Sequence, residues 1–382
     1  MAAMNLERLL KDAGHDVAVF AMQYSENVET QWNGYYASSV DFTGGIIGKI
    51  KAAWRLLGLG DIKRSFSKIL DDFKPEIVHL HNIHSYISPA VAQLAKQRGC
   101  HVVWTMHDYK LVCPSYLCYY NGKPCEQCLG GRKMPVLANR CMKDSTAASA
   151  LAWIEAVRWN RDKLNQITDA FICPSKFMAS KMRKDGFEES KLHVVCNHID
   201  PSKQQLFDTI NPQREDYYAY VGRISVEKGV ETLVSTASNL PHKLKVAGDG
   251  PLLQLLKEKY ANATNIEFLG RINAEDVAIL LSKARFSVMP SECYDNNPLG
   301  VIESLCAGTP VVGARIGGIP ELLDNSNGMV FTAGNSDELS TCITKAFEVM
   351  WNHDKIKSAA SAQFSARAHL DKILDVYNIF TQ

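Results

Sequence analysis

The sequence predicts an α/β protein made of two doubly wound domains, each built on a parallel sheet. Short apolar or β-branched runs alternate with amphipathic stretches of helix length along the chain, which is typical of βαβ units. The runs are apolar on both faces, as strands of a covered parallel sheet are. With 382 residues, the chain is also long enough for two hydrophobic cores.

The predicted strands fall into two series, separated by a polar connection. The runs of the first series begin at Asp16, Glu76, His101, Ala170 and Leu192, and those of the second at Tyr217, Lys243, Ile266, Phe286, Thr309 and Gly328. The connection that starts at Asn197 carries two prolines among many polar residues, so we place the hinge there. The predicted domains are residues 1–197 and 198–382, and the last helix is expected to pack back on the first domain.

The first domain begins with a helix rather than with a strand. Residues 4–13 are predicted to be helical, Gly14 ends that helix, and a strand is expected from Asp16 to Met22. A doubly wound domain normally opens with a strand and a glycine-rich turn. The first strand of this domain is therefore absent from the sequence, which suggests that the numbering starts inside the complete protein.

Charge and composition exclude several classes of protein. Lys and Arg number 42 and Asp and Glu 41, so the chain has no global field to hold a polyanion, and nucleic acid is not expected as a partner. The sequence has no apolar run of roughly 18 residues, and its first 30 residues lack the features of a signal peptide. We therefore predict a cytoplasmic protein, in which the 11 cysteines are reduced.

Cations and glycines follow the strands of the second series. The strand from Tyr217 runs directly into Arg223, and Lys228 follows before a helix that starts near Gly229. A strand end, two cations and a helix N-terminus together can hold a diphosphate, although two solvated surface cations are the alternative interpretation. The next two strands bring further residues to the same edge of the sheet, namely Gly248, Gly250, Arg271 and Ile272.

The most informative segment runs from Pro290 to Pro310. Pro298 suits the first turn of a helix that contains Glu303, and Asp295 lies eight residues before Glu303 on the preceding loop. A carboxylate such as Glu303 can accept hydrogen bonds from both vicinal hydroxyls of a ribose. Each such hydrogen bond contributes roughly 1.5 to 3 kcal/mol. An ordinary exposed acid of a helix is the alternative. The turn before the helix offers further donor contacts through Asn296, Asn297, Pro298 and Leu299.

The order of these motifs, from residue 217 to about 331, closely resembles the C-terminal domain of the retaining glycosyltransferases of family 4. The resemblance implies the GT-B fold, in which two Rossmann-like domains face a cleft. It implies that Arg223 and Lys228 hold the donor diphosphate and that Glu303 holds the ribose. Asp295 stands where the family usually has Glu and would face the donor sugar.

The same resemblance implies two further contacts. Arg271 and Ile272 match the turn that contacts the nucleobase, largely through backbone atoms. His107, at the end of the strand from His101, matches a histidine that reaches the donor sugar across the cleft. A packed histidine bonded to backbone is the alternative reading of His107.

The implied activity is transfer of a sugar from a nucleotide-diphosphate sugar to a glycan or lipid-linked acceptor, with retention of configuration. It needs neither a cofactor nor a catalytic metal, and bacterial surface polysaccharide synthesis is the expected setting. Two other functions stay open, a sugar-nucleotide epimerase of the same fold and a non-catalytic protein that binds a sugar nucleotide.

A cysteine-rich insertion spans residues 113–141. Cys125 and Cys128 have the spacing of a zinc knuckle, and any four of the five cysteines of this segment could close a tetrahedral site. The tentative set is Cys113, Cys125, Cys128 and Cys141, with Cys118 as the fifth cysteine. A structural zinc site and free buried thiols are both compatible with this pattern.

A basic amphipathic stretch begins at Gly44. Its cations are Lys49, Lys51, Arg55, Lys63, Arg64 and Lys68, and its apolar residues at helical spacing are Ile47, Ile50 and Trp54. Such a stretch can lie on an anionic membrane, here the inner face, whereas a helix with a solvated cationic face is the alternative.

Overall fold

The computed structural model describes residues 2–40, 46–84, 86–211 and 213–381. The chain forms two compact units. The first consists of Met1–Cys118, Glu126–Val195 and Leu370–Gln382, and the second of Tyr119–Cys125 and Cys196–His369. Parallel sheets covered by helices confirm the predicted α/β class with two Rossmann-like domains.

The described helices and strands follow one another along the chain, apart from short 3₁₀ turns. The helices are α1 Ala2–Asp12, α2 Ile46–Leu56, α3 Ile62–Phe73, α4 Ala90–Gln97, α5 Pro135–Ala138, α6 Thr146–Arg158, α7 Arg161–Ile167, α8 Lys176–Asp185, α9 Pro201–Thr209, α10 Val230–Ala237, α11 Leu253–Lys259, α12 Ala274–Lys283, α13 Leu299–Cys306, α14 Ser336–Glu348, α15 His353–Gln363 and α16 Ala366–Tyr377. The strands are β1 Ile77–His81, β2 His101–Thr105, β3 Tyr119–Tyr120, β4 Lys123–Pro124, β5 Ala170–Cys173, β6 Leu192–Val194, β7 Tyr217–Val221, β8 Lys243–Ala247, β9 Ile266–Gly270, β10 Ser287–Met289, β11 Val311–Ala314 and β12 Gly328–Phe331.

The first unit is built on a parallel sheet with the strand order β1-β2-β5-β6. A core between this sheet and helices α1 and α16 contains Leu6, Leu10, Val103, Ala170, Ile172, Val195, Leu370, Ile373, Val376 and Tyr377. The later part of α16 therefore belongs to the core of the first unit.

The strand predicted from Asp16 to Met22 is wrong. Met22 forms an isolated parallel bridge with Ala37, and the residues before it have no regular structure. A cavity of about 760 Å³ is lined by residues 16–20 and by residues 75–81, so this segment lies apart from β1 and does not pair with it. Val17 still packs against the core of the first unit. Residues 17–21 are only partly buried and Met22 alone is buried, so the apolar pattern of this segment supplies neither full burial nor a pairing partner.

The second unit contains a six-stranded parallel sheet with the order β12-β11-β10-β7-β8-β9. All six strands of the second predicted series are present. Its central strand β7 is buried over four of its five residues, as expected for a sheet covered on both faces. The short hairpin of β3 and β4 groups with this unit as well.

Within the described parts of the chain, no helix combines the length and the apolar character needed to cross a membrane.

Candidate functional site

The predicted donor site lies at the carboxyl edge of four adjacent strands in the second unit. The sheet order places β10, β7, β8 and β9 side by side, and parallel strands end at the same edge. Ligands bind at this edge in open α/β sheets. The loops that leave these strands carry Asp295, then Arg223 and Lys228, then Gly248 and Gly250, and then Arg271 and Ile272.

Lys228 and Asp295 form an ion pair at this edge. Lys228 ends the 3₁₀ turn Val226–Lys228, and its Nζ donates to Oδ1 of Asp295. Burial lowers the pKa of Lys228, but the charge of Asp295, with Cys293 and Glu227, outweighs burial and raises this pKa above its ordinary value. Lys228 is therefore cationic at neutral pH and can hold an anion.

Two further hydrogen bonds and a close backbone approach fix Asp295. Ser291 Oγ donates to its second carboxylate oxygen, and the backbone N–H of Gly318 donates to its carbonyl at 2.7 Å. Gly317 has a φ of +61°, and a Cβ there would lie 2.2 Å from the Asp295 carbonyl oxygen. Only glycine fits that position. The Asp295 carboxylate is thus held in one place, against Lys228.

Glu303 lies in the body of α13 with 12% of its side chain exposed. It accepts a hydrogen bond from Nζ of Lys203, which lies on α9 and is 42% exposed. Because the Lys203 side of this pair is exposed, a ligand that offers hydrogen-bond donors can reach Glu303 and replace Lys203. Nothing in the local sequence pattern indicates Lys203, which stands 100 residues from Glu303 in the chain.

The turn before α13 is fixed by Asn297 and Asn197. The Asn297 side chain accepts from the Asn197 backbone N–H at 2.9 Å and from Cys196 Sγ at 3.2 Å, and the Asn197 side chain donates to the Asn297 carbonyl at 2.9 Å. The Asn297 side-chain oxygen thus accepts hydrogen bonds from the protein itself. Pro298 caps the helix and Leu299 begins it, so the N–H groups that can donate to a donor molecule are those of the first helical turn.

Arg223 lies exposed on the turn after β7. Its carbonyl accepts from the Tyr220 hydroxyl at 2.7 Å. Gly248 has a φ of +141°, and a Cβ at this position would lie 1.8 Å from the Gly222 carbonyl oxygen. The backbone at Gly248 and Gly250 therefore lies against the turn that carries Arg223, which a side chain at either position would prevent. The glycines position this cation.

Arg271 and Ile272 follow the end of β9. Arg271 is exposed, whereas Ile272 packs partly buried against a small apolar cluster that includes Ala247 and Leu280. The Gly248 N–H donates to the carbonyl of Gly270 at 2.8 Å, which ties this turn to the end of β8.

His107 lies in the first unit, just beyond β2. Its Nε2 is 2.9 Å from Nδ1 of His81, at the end of β1. The following residue, Asp108, accepts from the Lys110 backbone N–H at 2.8 Å, and burial raises the pKa of Asp108. Lys110 in turn pairs with Glu155 at 2.9 Å. Sequence reasoning found His107 but not the titratable groups around it.

The cysteine-rich insertion brings together a different set of thiols from the one predicted. Cys113 shares hydrogen bonds with Cys118 and Cys128, and these bonds lower the pKa of its thiol. Cys125 groups with the second unit. In residues 2–40, 46–84, 86–211 and 213–381, no three His, Cys, Asp or Glu side chains are arranged to hold a metal ion. The zinc site stays a prediction.

A buried lysine also holds the insertion in place. Lys133 Nζ donates to the carbonyls of Val112 at 2.7 Å and Cys128 at 3.2 Å, and it pairs with Asp185 at 3.2 Å. The Asp185 side chain is fully buried. Since a buried charge requires such partners, this network holds the insertion against α8.

The basic amphipathic stretch contains one buried cation and several exposed ones. Arg55 is a correction to the predicted cationic face, because it is buried and pairs with Asp61 while donating to the carbonyl of Ser38. Lys51, Lys63, Arg64 and Lys68 are exposed, as is Trp54. Gly44 and the side chains of Ile47, Lys49 and Ile50 lie outside the described residues.

The fold and this edge define a glycosyltransferase with the GT-B fold. Residues 2–203 match the family model described as Glycosyltransferase Family 4, and residues 202–363 match the model described as Glycosyl transferases group 1. The chain belongs to glycosyltransferase family 4, as the sequence motifs indicated.

Several bacterial proteins are similar to this chain. A 42.6 kDa protein in the cps region of Klebsiella pneumoniae is 27% identical over 332 residues, which are 83% of this chain and 81% of that protein. The O-antigen biosynthesis glycosyltransferase WbnH of Escherichia coli is 26% identical over 53% of this chain and 57% of its own length. The crystal structure of Anabaena Alr3699/HepE in complex with UDP has a TM-score of 0.61 at 16% identity and covers 84% of each chain, which supports the fold.

Proposed function

We propose that this chain is a retaining glycosyltransferase that moves a sugar from a nucleoside-diphosphate sugar to a glycan or lipid-linked acceptor. The observation that carries the proposal is the convergence of Arg223, Lys228, Asp295 and Glu303 at one sheet edge. Alr3699/HepE, which has a similar fold, was crystallised with UDP, and this supports a nucleoside-diphosphate donor.

The roles of the four side chains follow from their charges. Arg223 and Lys228 hold the diphosphate and stabilise the negative charge that grows on it as the glycosidic bond breaks. Glu303 exchanges Lys203 for the vicinal hydroxyls of the ribose. When the diphosphate takes Lys228 as its partner, the Asp295 carboxylate, which Ser291 still holds, becomes available to the donor sugar. His107 of the first unit contacts that sugar as well.

The reaction proposed here needs no protein nucleophile and no metal. The acceptor hydroxyl attacks from the face that the diphosphate leaves, and a donor phosphate oxygen takes its proton, so the anomeric configuration is retained. Two cations and the first turn of α13 take the place that a bound metal ion would have in stabilising the leaving group.

Replacement of either of two charged residues tests the donor site. Glu303→Ala and Lys228→Ala should each abolish sugar transfer, because the first removes the ribose acceptor and the second a diphosphate cation. The measurement starts with a thermal-shift screen of nucleotide sugars and continues with mass analysis of products formed from candidate acceptors. Anomeric coupling in the product's NMR spectrum reports retention, and activity in EDTA reports independence from metal.

The exposed pair of Lys259 and Glu231 in the same unit, 2.8 Å apart, provides the matched control. Lys259→Ala and Glu231→Ala should leave transfer unchanged. Wild-type turnover in Glu303→Ala or Lys228→Ala would refute the site. An isomer formed from the donor alone would indicate an epimerase, and donor binding without turnover would indicate a binding protein.

The setting proposed is the cytoplasmic side of a bacterial membrane, in surface polysaccharide synthesis. WbnH acts in O-antigen biosynthesis, which supports a glycan acceptor. A cationic patch supports contact with anionic lipid. We define this patch as Lys63, Arg158 and Lys163, all in the first unit.

The cationic patch is arranged around the indole of Trp159. Arg158 Cζ lies 5.0 Å and Lys163 Nζ 4.2 Å from the ring centroid. Burial lowers the pKa of Lys163, and the charges of Arg158 and Lys63 lower it further, so these cations lie close enough to repel one another. An anionic headgroup would relieve that repulsion.

Exposed apolar side chains adjoin the cationic patch. The Trp159 Nε1–H donates to the carbonyl of Leu56 at 2.9 Å, and Leu59, three residues on, is 43% exposed. The Leu59 N–H donates to the carbonyl of Trp54, which is 58% exposed. Cations beside an exposed indole and an exposed leucine are the composition of a surface that lies on lipid.

A further inference from the structure

Three histidines crowd the carboxyl ends of β1 and β2 in the first unit. His79 and His81 belong to β1, and His107 follows β2. The ring centroids of His79 and His81 are 4.2 Å apart, and those of His81 and His107 are 5.2 Å apart. Because β1 and β2 are parallel and His81 stands opposite Thr105, His81 Nδ1 comes to 2.9 Å from His107 Nε2.

A hydrogen bond between two imidazoles constrains both rings. One nitrogen must carry the proton and the other must offer its lone pair, so the tautomers of His81 and His107 are linked. If both of these nitrogens were protonated, the bond would be lost. The bond to one ring nitrogen commonly determines which nitrogen of a histidine carries the proton.

We propose that His81 is a positioning residue that fixes the ring orientation and the tautomer of His107 through its Nδ1. The inference rests on the proposed function, in which His107 contacts the donor sugar. His81 would act through His107 and would not touch the donor.

His81 is itself held by a fixed neighbour. His79 Nδ1 lies 2.6 Å from the Tyr377 hydroxyl, and its Nε2 lies 2.7 Å from the Thr105 hydroxyl. With both ring nitrogens of His79 engaged, its ring is a rigid surface beside His81. Residues of β1, β2 and α16 therefore support the pair of His81 and His107.

Other titratable side chains lie near His107. His84 lies close enough to Lys110 and His107 for both to lower its pKa, after the larger effect of burial. Lys110 is paired with Glu155 at 2.9 Å. Asp108, the residue after His107, is also titratable, and burial raises its pKa.

Different substitutions at His81 distinguish the position of its hydrogen-bonding atom from the size of its side chain. An asparagine side chain places a polar atom near the position of Nδ1, whereas a glutamine places one near Nε2. His81→Asn should therefore keep the bond to His107 and transfer near the wild-type rate. His81→Gln and His81→Leu should lose the bond and lower kcat by roughly 10²-fold, as expected for a misplaced contact group. Binding of UDP alone should stay unchanged in all three variants.

The second readout does not depend on activity. Long-range ¹⁵N spectra of histidine-labelled full-length protein report the tautomer of His107, whose signals are assigned by their loss in His107→Asn. We expect the wild-type pattern in His81→Asn and an altered pattern in His81→Gln and His81→Leu. The control is His101→Asn, at the other end of β2, which should change neither the His107 signals nor kcat.

The outcomes distinguish the inference from the proposed function. Unchanged His107 signals in both His81→Gln and His81→Leu would overturn the inference, and so would altered signals with undiminished transfer. If the wild-type chain binds donor without transferring sugar, the proposed function fails, while the response of the His107 signals still decides whether His81 sets its tautomer.

Discussion

At the residue scale, folding has suppressed the charge of His84. Its ring stacks on Trp104 at a centroid distance of 5.3 Å. Burial first, and then the charges of Lys110 and His107, lower the pKa of His84 to about 3. Its ordinary value is about 6.5, so the unfolded chain binds a proton there under mildly acidic conditions that leave the folded chain unprotonated.

The sign of the resulting pH dependence follows from proton counting. Between pH 6.5 and about 3 the unfolded state holds the additional proton, so stability falls as the pH falls through this window. His84→Phe keeps the stacked ring and has no proton to gain. We expect the free energy of unfolding of the wild-type chain to fall with acidification by up to about 1.4 kcal/mol per pH unit more than that of His84→Phe.

Denaturant unfolding of both proteins from pH 7.5 to 4 measures this difference. Above pH 7 the two stability curves should run parallel. Curves that remain parallel down to pH 4 would contradict the assignment of His84 as a buried neutral histidine.

Residues of the donor site also show the limit of sequence reasoning. The places of Arg223, Lys228 and Asp295 could be predicted because these residues follow strands, and that of Glu303 because it lies in the helix after β10. The edge rule for parallel sheets then puts them at one edge. Their partners were not predictable in that way. Lys203, on α9, stands 100 residues from Glu303, and a lysine on a helix has nothing in its local pattern to mark it as a partner.

At the element scale, helices and strands were predictable where the local pattern decides them. The second series of strands is apolar on both faces and was predicted in full, because a covered parallel strand has no other pattern. The segment from Asp16 has the same apolar pattern but forms only an isolated bridge. Strand pairing depends on a neighbouring strand, which the segment itself does not specify. In the cysteine insertion, spacing favoured Cys125, whereas the fold brings Cys118 to Cys113.

The cationic patch combines elements that are far apart in the sequence. Lys63 lies on α3, Arg158 ends α6 and Lys163 lies on α7, so the basic stretch from Gly44 contains only part of it. Each cation near an anionic bilayer contributes about 1 kcal/mol. Replacing all three by Gln should therefore weaken binding to vesicles of phosphatidylcholine and phosphatidylglycerol by roughly 10²-fold. Cosedimentation of the full-length protein measures the bound fraction.

The matched control for the patch removes three exposed cations of the second unit, Lys243, Lys257 and Lys259. That variant should bind the anionic vesicles as the wild-type chain does. Trp54→Ala should lower binding further in the background of the patch variant. Equal binding to vesicles of phosphatidylcholine alone, or an equal loss in the control, would argue against a lipid-binding role for the patch.

At the scale of the whole molecule, the chain divides into two units that do not follow sequence order throughout. The residues from Leu370 onward group with the first unit, although α16 starts within the second. A single apolar stripe on α16 predicts that this helix is buried. It does not say which core receives it, because any apolar core of suitable shape would bury it.

The two cores can be weakened one at a time, and this provides a test of the division. Ile373 on α16 is 1% exposed in the core of the first unit, and Ile343 on α14 is fully buried in the core of the second. Ile373→Ala and Ile343→Ala remove the same atoms, and each should cost about 2–5 kcal/mol. Because each cavity forms in one core, Ile373→Ala should accelerate amide exchange in β2 and β5, and Ile343→Ala in β7 and β11. Hydrogen-exchange mass spectrometry of the full-length chain measures both patterns. Faster exchange across all four strands in each variant would mean that the chain unfolds as one cooperative body, and the division into two separately stabilised units would then be wrong.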